Sequence, residues 1–599
     1  MWNDSEKNVL VLGHRGMKAL YPENTMVSFK AALDARVDLI EMDIHLTADK
    51  VLVVCHDDTV DRTTDGTGPI TEKSLAEVKA LDAGIKFSPR FKGEKIPTFK
   101  EFLDLIKSAD YEVLLNVEIK DYRNECCDAA IAMLEEYGLL ERSVIASFSA
   151  DVIRYIYGKY PGIKLQGFPG RYMKNFTEDV YDMMYGMGIP GEWTPWAKAT
   201  SEEVDSYVAL AKSKGIKPWL FCSDSVETVK GAVAHGTYNV TGNDPYPALR
   251  YLPEAGLHAP IYDNKPITGK MNVSNLHAVG EMVYEQLDIP TPEDDEVLVK
   301  VKMCGICGSD VPRAMKKGTY HFPTVIGHEF SGKVVYDKSG EYLGKRVAIF
   351  PLLPCFKCEN CAEQNYAQCL DYDYYGSRRD GGLAEYIAVK KFNLIELPDN
   401  VTYEEGAMSE PISVANHAVK KLEIKGGENL LITGAGPIGL IAGMWAKKHG
   451  VANVYYIDID QGKLDFAKEM GFDVYTPDLH IDLAIEGTGV GAALGSIINA
   501  VKAKGKIVLM GNPGDQVALD GKTYQNILRK EQVLIGTWNS SYAEKENDWI
   551  EALDAVSKGE LALLQLITHK VSIAEAADAI KMMYERKEFY CKVMIDNEK

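Results

Sequence analysis

The chain has 599 residues, more than one hydrophobic core usually organises, so we expect two to four domains. Hydrophobic residues make up 46% and charged residues 26%, which is typical of a globular protein. The net charge of −21 disfavours a nucleic-acid partner, because phosphate backbones select basic surfaces. The sequence has no apolar run of about 18 residues and no signal-peptide pattern, so we predict a cytoplasmic protein without a membrane partner.

Residues 8–250 alternate short β-branched runs with amphipathic segments. The runs predicted as strands are NVLVLG, VDLIEMDI, VLVVCHD, EVLLNVEIK, SVIASF, IKLQGF, IKPWLF and TYNVTG. Strands that alternate with helices are typical of parallel βαβ units, and about eight units over roughly 250 residues fit a (β/α)8 barrel. We therefore predict an α/β multidomain protein that begins with a TIM barrel at 1–256, followed by a linker at 257–270.

Polar clusters follow four of these predicted strands: HRG at 14–16, EMD at 41–43, CHD at 55–57 and EIK at 118–120. The carboxyl ends of barrel strands converge on one mouth, where active sites lie. A single histidine or acid at a strand end is usually a hydrogen-bonded structural residue. Four clusters at one mouth favour a functional site instead.

The acids of these clusters suit a divalent metal ion. Glu41, Asp43 and Glu118 offer three hard oxygen ligands of the kind that Mg²⁺ or Ca²⁺ prefers. His14 and His56 supply side chains that titrate near neutrality. The combination predicts a metal site with acid–base catalysts beside it.

Two cations complete the predicted mouth, since Arg15 and Lys120 are placed to hold an anion. A metal, two histidines and two cations together indicate phosphodiester cleavage. The stretch from GHRGMKALYPENT to HDDTVDRTTDGTG resembles the glycerophosphodiester phosphodiesterase family very closely. The likeness continues through VEIK, SFSADV and PWLFCSD to TGNDP, over about residues 8–252.

The resemblance implies that the three acids bind the divalent cation, the two histidines act as general acid and base, and the two cations contact the phosphate. It also implies glycerophosphodiesters as substrates, with sn-glycerol 3-phosphate and an alcohol as products. One departure is LFCSD, where the family commonly has Thr-Val-Asn. Sphingomyelinase- or phospholipase-type action on related phosphodiesters is an alternative, which the lack of a signal-peptide pattern and of an apolar membrane-binding stretch disfavours.

From Met271 the sequence reads like a fresh amino terminus, and residues 271–400 are rich in Gly, Pro and Cys. Residues 401–545 contain a strand–glycine loop–helix pattern and further βα alternation, which predicts a Rossmann domain. Residues 546–599 add helical segments and a last strand, CKVMI. The stretch before Met271 is interpreted as the seam of a fusion between two enzymes.

Four of the eleven cysteines are spaced C-x2-C-x2-C-x7-C. Such a set can enclose one tetrahedral ion, and a closed all-cysteine set marks a structural zinc site. Disulfides are the alternative, which a chain without a secretion signal disfavours. The four predicted ligands are Cys355, Cys358, Cys361 and Cys369.

A second zinc site is predicted from CGICGSD and GHE, which contain Cys307, His328 and Glu329. This mixed set suits a zinc ion with an open position, which would lower the pKa of an alcohol before hydride loss. Ser309 is placed to relay the proton. Cys304 is the alternative ligand, but we expect it to be a buried apolar residue.

The glycine loop GAGPIG lies between a predicted strand and helix, with Gly434, Gly436 and Gly439 at the motif positions. Asp458 follows the next predicted strand, VYYID. The glycines allow a pyrophosphate to approach the helix amino terminus, and the acid can hold both ribose hydroxyls. An acid there repels a 2′-phosphate, so NAD is favoured over NADP.

Together these parts resemble the zinc-dependent medium-chain dehydrogenases. Within that family the sequence is similar to the sorbitol dehydrogenase branch, and its resemblance to the galactitol-1-phosphate 5-dehydrogenases is closer than that. The resemblance implies a GroES-like catalytic domain at 271–400, to which 546–599 return. EPISVANHA adds Glu410 as a zinc-proximal candidate. Arg378 and Arg379 are candidates for a substrate phosphate, with a solvated turn as the alternative.

Two departures from that family stand out. Only KVVYDKSGEYL separates GHEFSG from GKRVAIF, where the family has a longer loop. Between EMGFDVYTPD and DLAIEGTG a whole helical crossover is nearly missing, which predicts a trimmed cofactor domain with a weakened adenine side.

The sequence therefore predicts a bifunctional enzyme with small-molecule substrates, which forms a homo-oligomer through its dehydrogenase half. The oxidised substrate is a polyol or polyol phosphate, and a non-phosphorylated polyol such as sorbitol stays open. A pathway in which the barrel releases the polyol that the dehydrogenase oxidises is a hypothesis. In a further alternative, the trimmed dehydrogenase half is a binding module.

Overall fold

The computed structural model describes residues 8–259 and 261–599. Its internal contacts divide the chain into two compact units, residues 1–263 and 264–599. Among the described residues no helix has both the length and the apolar character needed to cross a membrane. Each unit is described below by itself.

The strands of the first unit are β1 Leu10–Gly13, β2 Leu39–Leu46, β3 Leu52–Val54, β4 Leu114–Ile119, β5 Ser143–Ala146, β6 Lys164–Gly167, β7 Gly186–Pro190, β8 Lys217–Phe221 and β9 Asn239–Gly242. All except β3 pair in parallel, in the order β1-β2-β4-β5-β6-β7-β8-β9. Pairing of β9 with β1 closes the ring. The predicted (β/α)8 barrel is confirmed.

One strand assignment was wrong. VLVVCHD, predicted as a barrel strand, forms β3, which runs antiparallel to the end of β2. The barrel strand missing from the prediction is β7, whose sequence GMGIP carries the glycines and proline that normally argue against a strand. Burial on both sides overrides that low propensity, because every residue of β7 is buried.

The helices of the first unit are α1 Met26–Ala35, α2 Leu75–Ala80, α3 Phe99–Ser108, α4 Asn124–Glu136, α5 Ala150–Lys159, α6 Ser201–Ser213, α7 Val226–His235 and α8 Tyr246–Glu254. Several begin at a capping box, as at Thr98 with Glu101 before α3. There the side chains satisfy amide groups that the first turn leaves without partners. The apolar face of α3, which includes Phe102 and Ile106, is buried.

The first strands of the second unit are β10 Lys270–Ala278, β11 Glu281–Asp288, β12 Glu296–Gly305, β13 Thr324–Val325, β14 Glu329–Tyr336, β15 Arg346–Ile349, β16 Leu352–Leu353, β17 Asp373–Tyr374, β18 Tyr386–Lys390 and β19 Leu394–Glu396. The later ones are β20 Asn429–Thr433, β21 Asn453–Ile457, β22 Asp473–Val474, β23 Ile481–Glu486, β24 Val501–Leu509, β25 Val533–Gly536, β26 Ile567–Val571 and β27 Lys592–Asp596. Its helices are α9 Asp310–Pro312, α10 Glu359–Ala362, α11 Tyr403–Ala407, α12 Ser409–Lys420, α13 Pro437–Lys448, α14 Gln461–Glu469, α15 Gly491–Ala500, α16 Gly521–Lys530, α17 Asp548–Ser557 and α18 Ala576–Glu585.

Antiparallel strands build the catalytic part of this unit. One sheet has the order β19-β15-β14-β12-β27-β26, and β18 also pairs with β12. The strands β26 and β27 come from the carboxy-terminal tail, so the chain does return to this part after the nucleotide-binding segment. The predicted GroES-like fold of this part is confirmed.

The strands β10, β11 and β13 form a second small sheet, and β16 pairs with β17. The strands β20 to β25 form a parallel six-stranded sheet in the order β22-β21-β20-β23-β24-β25. This is the order of a doubly wound dinucleotide-binding sheet, so the Rossmann fold is confirmed. Residues 475–480, between β22 and β23, contain no helix. The strand register places Val474 level with Ile485, so the path to Ile481 runs about 14 Å across three strand spacings and about 13 Å back along the strands, or about 19 Å directly. The seven steps of chain from Val474 to Ile481 reach about 23 Å when extended, so a short loop suffices.

Candidate active sites of the two units

The barrel mouth brings together the three predicted carboxylates. Glu41 and Asp43 lie two residues apart on β2, and Asp43 is in register with Glu118 on β4. All three are buried, and one oxygen of each lies within 4.8 Å of the others. Glu41 Oε1 has no hydrogen-bond donor among the described residues. A buried oxygen without a donor fits a cation ligand, because such a group is otherwise costly.

Two cations neutralise part of this negative charge. Arg15 donates its backbone N–H to Glu41 (2.8 Å), and its Nε lies 3.3 Å from Asp43. Lys120 Nζ lies 2.5 Å from Glu118 and 3.4 Å from Asp43. Burial opposes ionisation of Asp43, but the two cations hold its pKa well below the ordinary range. Burial and the neighbouring acids raise the pKa of Glu41.

Both predicted histidines face this cluster. His14 donates from Nδ1 to Asn243 Oδ1 (2.7 Å), and its Nε2 lies 3.8 Å from Glu41. His56 Nδ1 contacts Asp57 Oδ1 at 2.5 Å. Burial lowers the pKa of both rings. In each ring the contact at Nδ1 leaves Nε2 available for proton transfer.

His56 reaches the mouth although β3 is antiparallel. The strand β2 continues beyond Asp43, and β3 runs back beside it, so that Cys55 N–H donates to the Asp43 carbonyl at 2.9 Å. His56, the second residue after β3, therefore lies level with the metal ligands. The four clusters meet at one mouth as predicted, but the third arrives on the returning arm of a hairpin.

A chain of ion pairs that the sequence analysis did not single out connects the two sides of the mouth. Glu23 accepts from Arg15 (2.8 Å) and from Arg62 (2.7 Å), and Arg62 also donates to Asp57 (2.6 Å). Asn24 donates to Asp43 at 2.9 Å. The sequence could have indicated these ion pairs, because the motifs PENT and DRTT contain the charged residues Glu23 and Arg62, to which the predicted metal site gives no role.

Beside His56 lies a groove of about 580 Å³. All of its lining residues except Pro69 have polar side chains: His45, His56, Asp57, Asp58, Thr59, Pro69, Thr71, Lys120, Asp121, Tyr122 and Lys174. Hydroxyl, carboxylate and ammonium groups that converge in this way suit a small hydroxylated ligand.

In the second unit, Cys307, His328 and Glu329 offer ligand atoms within 4.8 Å of one another. Glu410 is buried beside them, and burial raises its pKa to about 7. Ser309 Oγ lies 3.2 Å from Cys307 Sγ. A thiolate, an imidazole and a carboxylate around one point fit a zinc ion that keeps an open position.

Two buried residues orient these groups, and the sequence analysis missed both. Asp310 accepts the Cys307 N–H (3.0 Å) and lies 3.4 Å from His328 Nδ1. Lys592 forms a buried ion pair with Glu329. Although burial opposes it, the Glu329 carboxylate raises the pKa of Lys592. A lysine inside the apolar strand CKVMI was the available signal. Cys304 is fully buried in the apolar core, as expected.

The four clustered cysteines also come together. Cys355, Cys358, Cys361 and Cys369 present sulfur atoms within 4.8 Å of one another, and none forms a disulfide. The backbone N–H groups of Leu370 and Cys361 lower the pKa of Cys358 to about 6. Four close thiols, one of them already acidic, fit a closed tetrahedral zinc site.

The glycine loop has the geometry of a nucleotide site. Gly434 has φ +91°, and Gly436 is the N-cap residue of α13 with no heavy atom within 4 Å of the position of a Cβ. A Cβ on Gly439 would instead clash with the Gly434 carbonyl oxygen. Asp458 follows β21 directly and accepts the Ala435 N–H at 2.8 Å.

The predicted arginine pair separates into two environments. Arg378 lies over the rings of Tyr320 and Tyr372, at 4.5 and 4.4 Å from their centres. Arg379 is instead paired with Asp373 at 3.0 Å.

Comparison with known proteins assigns both units. The glycerophosphoryl diester phosphodiesterase family matches residues 14–218. The alcohol dehydrogenase GroES-like domain matches 293–399, and the zinc-binding dehydrogenase family matches 437–558. Galactitol 1-phosphate 5-dehydrogenase of Escherichia coli K12 is 37% identical over 306 residues, which are 48% of this chain and 88% of that protein.

The chain belongs to the zinc-binding dehydrogenases and carries a glycerophosphoryl diester phosphodiesterase domain. Sorbitol dehydrogenase of Bombyx mori is 33% identical over 51% of this chain and 93% of its own length. The crystal structure of galactitol-1-phosphate dehydrogenase from Escherichia coli has a TM-score of 0.52 and 34% identity, and it covers 54% of this chain and all of that one. The recognised families and the enzyme class are therefore confirmed for both units.

The dehydrogenase unit contains one more group of potential ligands, His417, Glu546 and Asp548. Lys420 Nζ lies 2.8 Å from Glu546 and 3.0 Å from Asp548. Its ammonium group already compensates the two carboxylates. We therefore assign this group a structural role between α12 and α17.

We predict that two substitutions in the glycine loop separate stability from cofactor binding. Gly439→Ala should lower the stability of the dehydrogenase unit by about 1–3 kcal/mol, because its Cβ meets backbone. Gly436→Ala should leave the melting temperature unchanged but weaken NAD binding, since its Cβ would stand where the pyrophosphate approaches. Thermal unfolding and NADH fluorescence titration measure the two effects. Equal destabilisation by both variants would contradict the prediction.

Proposed function

We propose that this cytoplasmic protein is a bifunctional enzyme. Its barrel hydrolyses glycerophosphodiesters to sn-glycerol 3-phosphate and an alcohol, and its second unit oxidises a polyol or polyol phosphate to a ketose with NAD. The observation that carries the proposal is that each unit holds its own set of converging ligand atoms, three carboxylates in one and a thiol, an imidazole and a carboxylate in the other.

In the barrel, Glu41, Asp43 and Glu118 would hold Mg²⁺ or Ca²⁺, which would stabilise charge on the phosphoryl oxygens. His14 and His56 would act as general acid and base, because each has its Nδ1 engaged and its Nε2 available. The hydrogen bonds at Nδ1 fix the ring orientation, as a positioned proton-transfer group requires.

Two cations of the mouth would hold the phosphate. Arg15 and Lys120 lie next to the metal ligands, so a phosphate bound there meets both positive charges. Their present carboxylate partners keep them charged and fixed in place, which lowers the reorganisation needed on binding.

In the dehydrogenase unit, Cys307, His328, Glu329 and Glu410 would hold the catalytic zinc, which would lower the pKa of the substrate alcohol. Ser309, next to Cys307, would relay the proton to solvent. The four-cysteine set would hold the structural zinc.

The cofactor would bind at the loop before α13. Gly434, Gly436 and Gly439 would let the pyrophosphate reach the helix amino terminus, where unpaired N–H groups favour an anion. Asp458 would accept hydrogen bonds from the ribose hydroxyls and repel a 2′-phosphate.

We predict that the two activities can be removed separately. Glu41→Gln should abolish release of glycerol 3-phosphate and leave NADH formation intact, because it removes one of three metal-ligand charges. Cys307→Ser should abolish NADH formation alone and lower the zinc content by one ion per chain. Paired activity assays and metal analysis on the full chain measure this. Loss of both activities in either variant would contradict independent sites.

Arg378 is the candidate for the phosphate of a polyol phosphate. It has no carboxylate partner among the described residues, and Tyr320 and Tyr372 hold its guanidinium between two rings. Tyr372 contacts Tyr374, whose ring lies 5.7 Å from that of His328, so ring contacts connect this arginine with the candidate ligands of the catalytic zinc. A guanidinium without a paired acid suits a phosphate.

We predict that Arg378→Ala raises the KM for galactitol 1-phosphate by about tenfold or more, since it removes a charge-assisted hydrogen bond. The KM for a non-phosphorylated hexitol should change little. Arg379→Ala is the matched control, because Asp373 already pairs with that residue. If sorbitol is oxidised more efficiently than galactitol 1-phosphate, the non-phosphorylated alternative is favoured.

We further propose that the dehydrogenase unit forms a homo-oligomer through the β25 edge of its parallel sheet. Val533 on this strand is 45% exposed, and Leu528 on the adjacent α16 is 59% exposed. Trp538, just beyond the strand, is 52% exposed. An uncovered strand edge with apolar side chains favours pairing with a second copy.

We predict that the native protein sediments as a dimer or larger assembly and that the double variant Val533→Asp with Leu528→Asp sediments as a monomer, because charges would be buried at the interface. Ile550→Asp, at an exposed position on α17, is the control and should leave the assembly intact. Analytical ultracentrifugation measures the outcome. A native monomer would contradict the proposal.

A further inference from the structure

The half of the barrel mouth formed by the later strands is aromatic. Phe148 follows β5, Phe168 follows β6, and Phe221 ends β8. Tyr172 lies in the loop after β6, and Trp196 lies in the loop after β7. These five residues, here called the aromatic wall, belong to carboxyl ends of barrel strands and therefore to the same mouth as the metal ligands.

The rings of the aromatic wall contact one another in sequence. Phe148 stacks on Phe168 with 3.5 Å between the ring centres, and Phe221 meets Phe168 edge to face. Trp196 stacks on Phe221 at 5.9 Å, and Tyr172 meets Trp196 edge to face at 5.8 Å. Trp196 is nevertheless 57% exposed. The wall thus presents one exposed aromatic surface, the indole ring of Trp196, which stacks on Phe221.

The wall begins at the catalytic cluster. Lys120 Nζ lies 5.2 Å from the centre of the Phe148 ring and 2.5 Å from Glu118. Lys120 also lines the polar groove beside His56, so a phosphate held by Lys120 would adjoin both the wall and the groove.

Two further cations lie near the wall. Lys18 interacts electrostatically with Arg15, Glu23 and Glu41, and with Cys222, the residue that follows Phe221. Lys18 forms no hydrogen bond or ion pair with any residue in the described part of the chain, whereas Arg15 and Lys120 are both paired with carboxylates. Arg171 lies over the Tyr172 ring at 4.6 Å and is paired with Glu203 at 2.6 Å. Lys18 is thus a partly buried ammonium group available to a ligand.

This arrangement disfavours an ammonium-binding cage. A cage needs several free ring faces that converge on the cation, usually with a carboxylate close by. Here Phe148 and Phe168 cover each other's faces, Lys120 already lies over Phe148, and Lys18 would repel a second cation. A polyhydroxylated chain or ring fits instead, because its C–H groups can lie on the negative face of Trp196 and its hydroxyls can accept from Lys18.

We propose that the aromatic wall and Lys18 form the subsite for the leaving alcohol, and that this alcohol is a sugar or sugar alcohol rather than an alkylammonium alcohol. The polar groove beside His56 then receives the glycerol moiety. The inference rests on the proposed phosphodiesterase function and adds its substrate class. The released alcohol belongs to the chemical class that a polyol dehydrogenase consumes, so the barrel reaction is of the kind that supplies the second unit.

The test compares three diesters of sn-glycerol 3-phosphate on the full-length protein, with myo-inositol, choline or methanol as the alcohol. Release of glycerol 3-phosphate gives kcat/KM for each. We expect the inositol diester to be preferred over the choline diester by about tenfold or more. Trp196→Ala should lower kcat/KM for the inositol diester about tenfold more than for the methyl diester, whose alcohol is too small to reach the indole.

Lys18→Glu should reverse the charge preference, lowering kcat/KM for the inositol diester and raising it for the choline diester. Tyr157→Ala, which removes a half-exposed aromatic residue on the outer helix α5, should change none of the three values. Preference for choline by the native protein, or equal losses on the inositol and methyl diesters in Trp196→Ala, would overturn the subsite. Failure to hydrolyse even the methyl diester would overturn the proposed phosphodiesterase function itself.

Discussion

The burial of several carboxylates around one point is the constraint on which both active sites depend. Glu41, Asp43 and Glu118 are held together by the parallel register of neighbouring barrel strands, not by mutual attraction. Like charges in a low-dielectric mouth are costly unless cations neutralise them. Arg15 and Lys120 supply part of that charge, and the rest suits a divalent ion. In the second unit, the buried ammonium group of Lys592 neutralises the charge of Glu329.

That constraint explains why charged residues outside the ligand sets are fixed so firmly. In the barrel, Glu23, Arg62 and Asp57 extend the alternation of charges from Arg15 to His56. In the dehydrogenase, Asp310 holds both the Cys307 amide and the His328 ring. Each oriented hydrogen bond reduces the freedom of a catalytic group, so less reorganisation is needed when substrate binds.

The short connection between β22 and β23 shows that this Rossmann fold forms without the helix that usually connects these two strands. The sheet keeps its strand order, because six residues are long enough to cross it. The glycine loop depends only on β20, α13 and β21, so it keeps its geometry without the crossover helix. A weakened adenine side stays a prediction, and the pyrophosphate loop is not part of it.

Both folds and nearly all metal-binding candidates could be predicted from the sequence, because those residues lie at the ends of predictable strands or occur at fixed spacings. The prediction for VLVVCHD was wrong and β7 was missed, since strand direction and two-sided burial depend on neighbours far along the chain. The different environments of Arg378 and Arg379 and the contact of Lys592 with Glu329 depend on the folded chain, because their partners are set by tertiary packing. The tertiary structure alone also assembled the aromatic wall, whose members come from four separate strand ends and share no sequence pattern.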